Sequence, residues 1–352
     1  MKTRLPFFLL FAVLLTTGAG CISFKSSETS GNGGAWTTTD AGATWTAMSS
    51  VPTPEGVSTI SGGNITGFHF DPSDSDAIYM GTRENGLFYS YDNGAGWMRV
   101  KEETLRTGWI RAVAVDPSDK CTVYVAKGNN VMKSTDCART WDLETFVETN
   151  GRIILTLSVD WFNPQIVWIG TEAGDIVRSS DGGATWSTLA RVKDEVMHLI
   201  VSNADSRIVV AATEGKGLWR TADGGTTWTR LEEELKKFQD SEDGYILAQD
   251  KTGTVMYFAN KYGLLKSLDS GATWEGLTLV TKPRSVRLYS LAVNPDDGNN
   301  VFYGTATTFY ASTDGGASWS TRELPSTRFA TALAVDPNAV GTVFLGSSTI
   351  ED

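Results

Sequence analysis

The chain has 352 residues, with 30 Lys and Arg against 41 Asp and Glu and a formal net charge of −11. That balance argues against nucleic acid or an anionic bilayer surface as the main partner, because both select basic patches. A single core of this size is large, and a circle of small repeated sheets accommodates the length better.

Lys2 and Arg4 form a basic start, residues 5–15 are an apolar run too short to span a membrane, and Gly18, Ala19 and Gly20 lead into Cys21. Residues 1–20 therefore read as a secretory signal. Without Lys2 and Arg4 the exported chain carries 28 basic and 41 acidic residues, about −13. The ending in cysteine resembles the lipobox of bacterial lipoproteins, whose thiol is acylated and becomes the new N-terminus. Gly18 stands where that family has Leu, with Leu15 further back, so ordinary cleavage near Ala19 is the alternative. The resemblance implies lipidation of Cys21 and a place on a membrane of the bacterial envelope, at its periplasmic or extracellular face. Residues 21–33, rich in Ser and Gly, read as a flexible tether.

A motif Ser/Thr-x-Asp-x-Gly-x-Thr/Ser-Trp then recurs seven times, with its aspartate at Asp40, Asp92, Asp136, Asp181, Asp223, Asp269 and Asp314. The successive steps of 52, 44, 45, 42, 46 and 45 residues mark a repeat architecture. In the second repeat, residues 64–70 read as a strand, Asp71-Pro72-Ser73 as a turn, residues 77–82 and 86–90 as two more strands, and a fourth strand begins at Trp97. Four short antiparallel strands per period make one propeller blade. Residues 49–63, with Pro52 and Pro54, and the charged residues 232–243 break the pattern and read as surface loops.

The chain ends count the blades. One strand, residues 34–38, precedes the first motif, and residues 329–348 supply two strands and stop. Joined, the ends form one blade and close a ring of seven, so residues 34–350 read as a single all-β, seven-bladed β-propeller of four-stranded antiparallel blades with no open edge.

Besides Cys21 the chain has Cys121 and Cys137, and export places them where a disulfide persists. Residues 122–134 read as a hairpin about Gly128, Asn129 and Asn130. Centred on Asn129, it sets Cys121 opposite Cys137 and predicts a disulfide. The motif of this repeat also has Ala138 in place of glycine, and the bridge would hold a turn that the weakened motif holds poorly.

The motifs resemble the Asp-box, or bacterial neuraminidase, repeats. Their tandem arrangement over residues 33–348 is similar to the seven-bladed propellers of the sortilin-type and photosystem II assembly factor groups. Gly96 replaces the usual Thr in the second box, and Ala138 the usual Gly in the third. An Asp so placed accepts hydrogen bonds from its own turn, Gly at the fifth place allows a positive φ, and the Trp buries a large area. All seven box aspartates are thus read as structural. One carboxylate per box is too few for a calcium loop, and no metal or cofactor is expected.

The sialidases that carry such boxes need an arginine triad, a Tyr–Glu pair and an acid Asp, usually announced by Arg-Ile-Pro. Here Arg152-Ile153-Ile154 is the nearest string. The xyloglucan-hydrolysing relatives place two aspartates between two propellers, and this chain holds one. Glycoside hydrolysis of the sialidase or β-glucan type therefore stands as the alternative function, and no catalytic residue is singled out. His69 and His198, the two histidines, sit in no catalytic motif.

Against the acidic whole, arginines gather before or within the first strand of several blades: Arg106, Arg111, Arg152, Arg284, Arg287 and Arg328. Arg152 and Arg328 lie eight residues before the Asp that ends the strand, and Arg287 seven before Asn294. Equivalent positions form a ring at one mouth of the channel, where guanidinium groups suit a partner protein's acidic segment or C-terminal carboxylate. The photosystem II assembly factor resemblance points to the same kind of patch. A non-catalytic, lipid-anchored platform for protein binding or assembly follows, with carbohydrate the lesser alternative ligand.

Overall fold

The computed structural model describes residues 33–339 and 341–350; the signal segment, Cys21 and residues 22–32 of the tether lie outside them. The described residues form seven four-stranded antiparallel sheets and one two-stranded hairpin. Their helical content is confined to Glu103–Leu105 and Glu232–Leu235. The chain is an all-β seven-bladed propeller. Blades one to six begin with the strands Ile65–Asp71, Ile110–Asp116, Ile154–Val159, Val196–Val201, Gly244–Gln249 and Ser290–Val293. Blade seven takes Phe329–Val335 and Val343–Ser348 from one end of the chain and Gly34–Thr38 and Thr46–Ala47 from the other. Gly34–Thr38 pairs along its length with the C-terminal strand, from Gly34 opposite Ser347 to Thr38 opposite Val343.

The core lies between blades. Seven apolar clusters each join two successive blades, so the second strands are covered on both faces. Val167–Thr171 and Val209–Thr213 are buried at every residue. Glycine lets neighbours close up: a Cβ on Gly170 would lie 2.4 Å from Val196, and one on Gly346 2.5 Å from Ile65. The box tryptophans reach into the preceding blade. Trp45 meets Phe309 edge-on at 5.2 Å, Trp186 packs on Phe146, and Trp228 on Trp168.

Each box is a turn with two successive left-handed residues. At the fourth and fifth places φ is 68° and 97° in Gly182 and Gly183, and 53° and 85° in Ala41 and Gly42. The Ser179 hydroxyl donates to Asp181 Oδ1 at 2.8 Å and accepts from Gly183 N at 2.8 Å, while Asp181 accepts from Thr185 N at 2.8 Å and Thr185 Oγ1 at 2.6 Å. Gly96 supplies only its N–H, at 2.9 Å. The fourth place, which the sequence pattern leaves free, is as demanding as the fifth. In the third box both places lack glycine, with Cys137 at 60° and Ala138 at 61°, and there the sulfurs of Cys137 and Cys121 are joined.

The left-handed fourth residue turns its carbonyl toward the preceding blade, and a cation answers it. The residue just before a box, on the third strand, donates to the fourth-place carbonyl of the next box: Lys133 to Gly182 O at 2.7 Å, Arg178 to Gly224 O at 2.6 Å, Arg220 to Ser270 O at 3.1 Å, and Lys266 to Gly315 O at 3.2 Å. In blade one the Tyr91 hydroxyl does this to Cys137 O at 3.2 Å.

Three expectations are corrected. The hairpin between the cysteines turns on Gly128 and Asn129 alone, with Lys127 opposite Asn130; a two-residue turn suits the twist of the strands better than one centred on Asn129. The bridge therefore joins residues that the ladder does not set opposite each other. Residues 49–63 are an ordered hairpin, Ser50–Thr53 with Gly56–Thr59, because Pro54 presets the turn and β-branched Val51, Thr53, Val57 and Thr59 favour the extended flanks. Residues 232–243 start with the helix Glu232–Leu235, whose Leu235 is buried between blades four and five.

Candidate functional site at the arginine end of the channel

Antiparallel order sorts the loops. First strands begin, and the turns between second and third strands lie, at one end of the channel. The boxes and the turns closing the first strands lie at the other. Five residues before the polar residue that closes each first strand stand Thr66, Arg111, Leu155, Met197, Tyr245, Tyr289 and Thr331, and all seven line one cavity of about 470 Å³. It opens into a channel segment of about 490 Å³, whose wall includes His69 and His198. Burial lowers both imidazoles to about 4, helped in His69 by the proximity of His198. His198 Nδ1 accepts from Leu247 N at 3.0 Å, which places the proton of the neutral ring on Nε2.

Of the six arginines read from the sequence, the structure brings two to this mouth. Arg111 lies 3.3 Å over the ring of Trp109, and Arg287 lies 4.3 Å over Tyr245 and 5.6 Å over Tyr289. The other four are elsewhere. Arg284 pairs with Asp240 at 2.6 Å. Arg328 bonds Gly62 O at 3.0 Å and Asn64 Oδ1 at 3.2 Å across the joint of blades seven and one. Arg106 follows the short helix Glu103–Leu105, and Arg152 is exposed before its strand, its N–H bonded to Glu148. Measuring back from the strand end misplaced Arg152 and Arg328, because the first strands carry bulges, as at Ile154/Thr156 and Ala330/Ala332, and begin only at Ile154 and Phe329.

Sequence reasoning missed Arg83, which lies 4.5 Å over Trp109 on the side of blade one and also lines the mouth. The signal was available: the residue at or just past the end of the second strand is charged in five blades, as Arg83, Lys127, Glu172, Glu214 and Lys261. Burial and the neighbouring Arg83 depress Arg111, so the guanidinium is held beside a like charge without an acid in contact. The arginines that form ion pairs among the described residues are Arg191, Arg207, Arg230 and Arg284. Arg83, Arg111 and Arg287 are thus oriented by aromatic faces and keep donors for a ligand. The described residues hold no cluster of three metal-ligating side chains.

Fold and site together describe a seven-bladed propeller with an arginine-and-aromatic mouth. No protein-family model matches the chain. It is 33% identical over 147 residues, 36% of its length, to a xyloglucanase of Paenibacillus. It is 36% identical over 91 residues, 23% of its length, to vacuolar protein sorting/targeting protein 10 of Aspergillus clavatus. These matches span only 14% and 6% of those proteins. Among solved structures, the GH74 xyloglucanase of Xanthomonas campestris aligns with a TM-score of 0.65 at 18% identity, over 81% of this chain and 51% of that one. YCF48 bound to D1 peptide aligns with 0.62 at 16% identity, over 82% and 94%.

Proposed function

We propose that this chain is a non-catalytic, exported platform, held to a membrane through a lipid on Cys21, whose arginine-lined mouth receives an acidic segment or chain-end carboxylate of a partner protein. One observation carries the reading: Arg83, Arg111 and Arg287 converge on a single opening, stacked on Trp109, Tyr245 and Tyr289. Guanidinium groups held this way lose little freedom when they meet a carboxylate, and the aromatic rings supply apolar contact beside it. The peptide complex of a propeller with this fold and nearly the same extent supports a peptide as ligand. The test is charge reversal. Arg111→Glu with Arg287→Glu should abolish capture of the partner from envelope extracts while leaving thermal unfolding within a few degrees of wild type. Unchanged capture would place the site elsewhere.

The sequence similarity to xyloglucanase favours glycoside hydrolysis as a second reading. The mouth and channel are lined by guanidinium, aromatic, hydroxyl and imidazole groups, where glycosidases of most families present a carboxylate pair. Release of sugar from xyloglucan or fluorogenic sialosides, lost on substitution of a single Asp or Glu, would establish that reading over the first.

A further inference from the structure

We propose that the segment received at this mouth carries a basic residue as well as an acidic one, with the base directed toward blades three and four. The inference rests on the binding reading above and names the partner's charge pattern.

The mouth is electrically divided. Arg83 and Arg111 stand on blades one and two. Over blades three and four the same rim is acidic. Glu172 follows the second strand of blade three, Glu214 follows that of blade four, and Asp194 and Glu195 lie in the link entering blade four. One backbone bond and one to a side chain lock these stretches together: Glu214 N donates to Glu195 O at 3.1 Å, and Gly215 N to the Asp194 carboxylate at 2.8 Å. None of the four carboxylates forms an ion pair among the described residues. Lys216, two residues after Glu214, is turned onto carbonyls, donating to Lys193 O at 2.7 Å and Val192 O at 3.5 Å, and Lys193 is exposed in the same link. Burial, with Glu214, Glu172 and Asp194 nearby, raises the Glu195 carboxyl above its ordinary range, a sign that the cluster is short of positive charge.

Arg111 marks the border. Arg83 repels it on one side, and Glu172 and Glu195 attract it from the other. On the channel side of that acidic rim, on the first strands of blades three and four, stand Leu155 and Met197. A wholly acidic segment that crossed the mouth would be repelled over blades three and four, and a wholly basic one by the arginines. A segment that carries both an acid and a base meets complementary groups in both sectors, and such patterning sets partner choice and orientation more than raw affinity.

The experiment uses short fluorescein-labelled peptide pools with a central leucine, flanked by an acid, a base, both or neither, and reads anisotropy on titration with the folded protein. The pool carrying both should bind wild type about tenfold more tightly than the acid-only pool. That gain should vanish in Glu172→Lys/Glu195→Lys/Glu214→Lys, which should bind the acid-only pool at least as well as wild type does. Should the triple variant unfold, Glu214→Lys alone, at an exposed turn, should still reduce the gain. Equal binding of the acid-only and mixed pools by wild type overturns the inference and leaves the arginine reading standing. Binding of every pool that ignores Arg111→Glu/Arg287→Glu overturns both.

Discussion

Outside the second box, whose Gly96 has no hydroxyl to give, a box aspartate accepts from the hydroxyl and N–H of the seventh residue and from the hydroxyl of the first, and these bonds favour its charged form. The Thr44 N–H and then its hydroxyl hold Asp40 at about 2. The hydroxyl and then the N–H of the seventh residue do the same for Asp136, Asp181, Asp223 and Asp314. A folded-state pKa below the unfolded one gives stability that is present above the unfolded pKa and is lost as pH falls toward the folded one. The same sign holds for His69 and His198, kept neutral and lowered to about 4. Thermal unfolding followed against pH should therefore show a first loss of stability between about 6.5 and 4 from the histidines, and a steeper one between about 4 and 2 from the boxes. His69→Phe with His198→Gln should flatten the first window and leave the second. A single window at the lower pH in wild type would show that the channel hydrates the imidazoles freely. At this scale the sequence disclosed the aspartates, because one residue type recurs at one place. It did not disclose the ring of Thr66, Arg111, Leu155, Met197, Tyr245, Tyr289 and Thr331, because there a position recurs and the residue type does not.

Between residues and the ring stand two devices that hold turns. The first is the cation that clasps the next box. Its sequence trace is Lys133, Arg178, Arg220 and Lys266, each directly before a box, legible only once the carbonyl it serves is known to point at the preceding blade. Replacing Arg178 by Met removes both a charged hydrogen bond to Gly224 O and the guanidinium 5.5 Å over the Trp168 ring, so it should cost about 1.5–3 kcal/mol in urea unfolding. A cost near zero would make the clasp incidental. The second device is the bridge of Cys121 to Cys137, 16 residues apart, at the one box without a left-handed glycine. Cys121→Ser with Cys137→Ser should cost about 3 kcal/mol, and protein from the envelope should show both thiols blocked until it is reduced. The bridge was legible from two cysteines flanking a hairpin, although the register used to pair them was one residue off. The ordered hairpin Ser50–Thr53 and Gly56–Thr59 was not legible: its two prolines resemble loop punctuation, and Trp97, whose N–H donates to Ser50 O at 2.8 Å, ties it down from far along the chain.

At the scale of the whole molecule, a ring closed by strands from both chain ends gives rigidity to two unlike faces. The boxes, their clasps and the turns that close the first strands occupy one face, where repetition serves stability. The face of the channel mouth departs from repetition, and there Arg83, Arg111, Arg287, Trp109 and the acidic rim of blades three and four differ from their counterparts in other blades. The period of the boxes was enough to count blades, because every blade must pack the same way against its neighbours. Ligand chemistry has no such constraint, so six arginines read before or within the first strands yielded two at the mouth. The central claim is that function lies at the mouth and structure in the boxes. It is tested most directly by photo-crosslinking in intact cells, with a photoreactive residue at Tyr289 on the mouth or at Leu268, 62% exposed in the box of blade five. The account predicts a crosslinked protein partner from position 289, lost on Arg111→Glu/Arg287→Glu, and none from 268. A partner captured from 268 and not from 289 would contradict it.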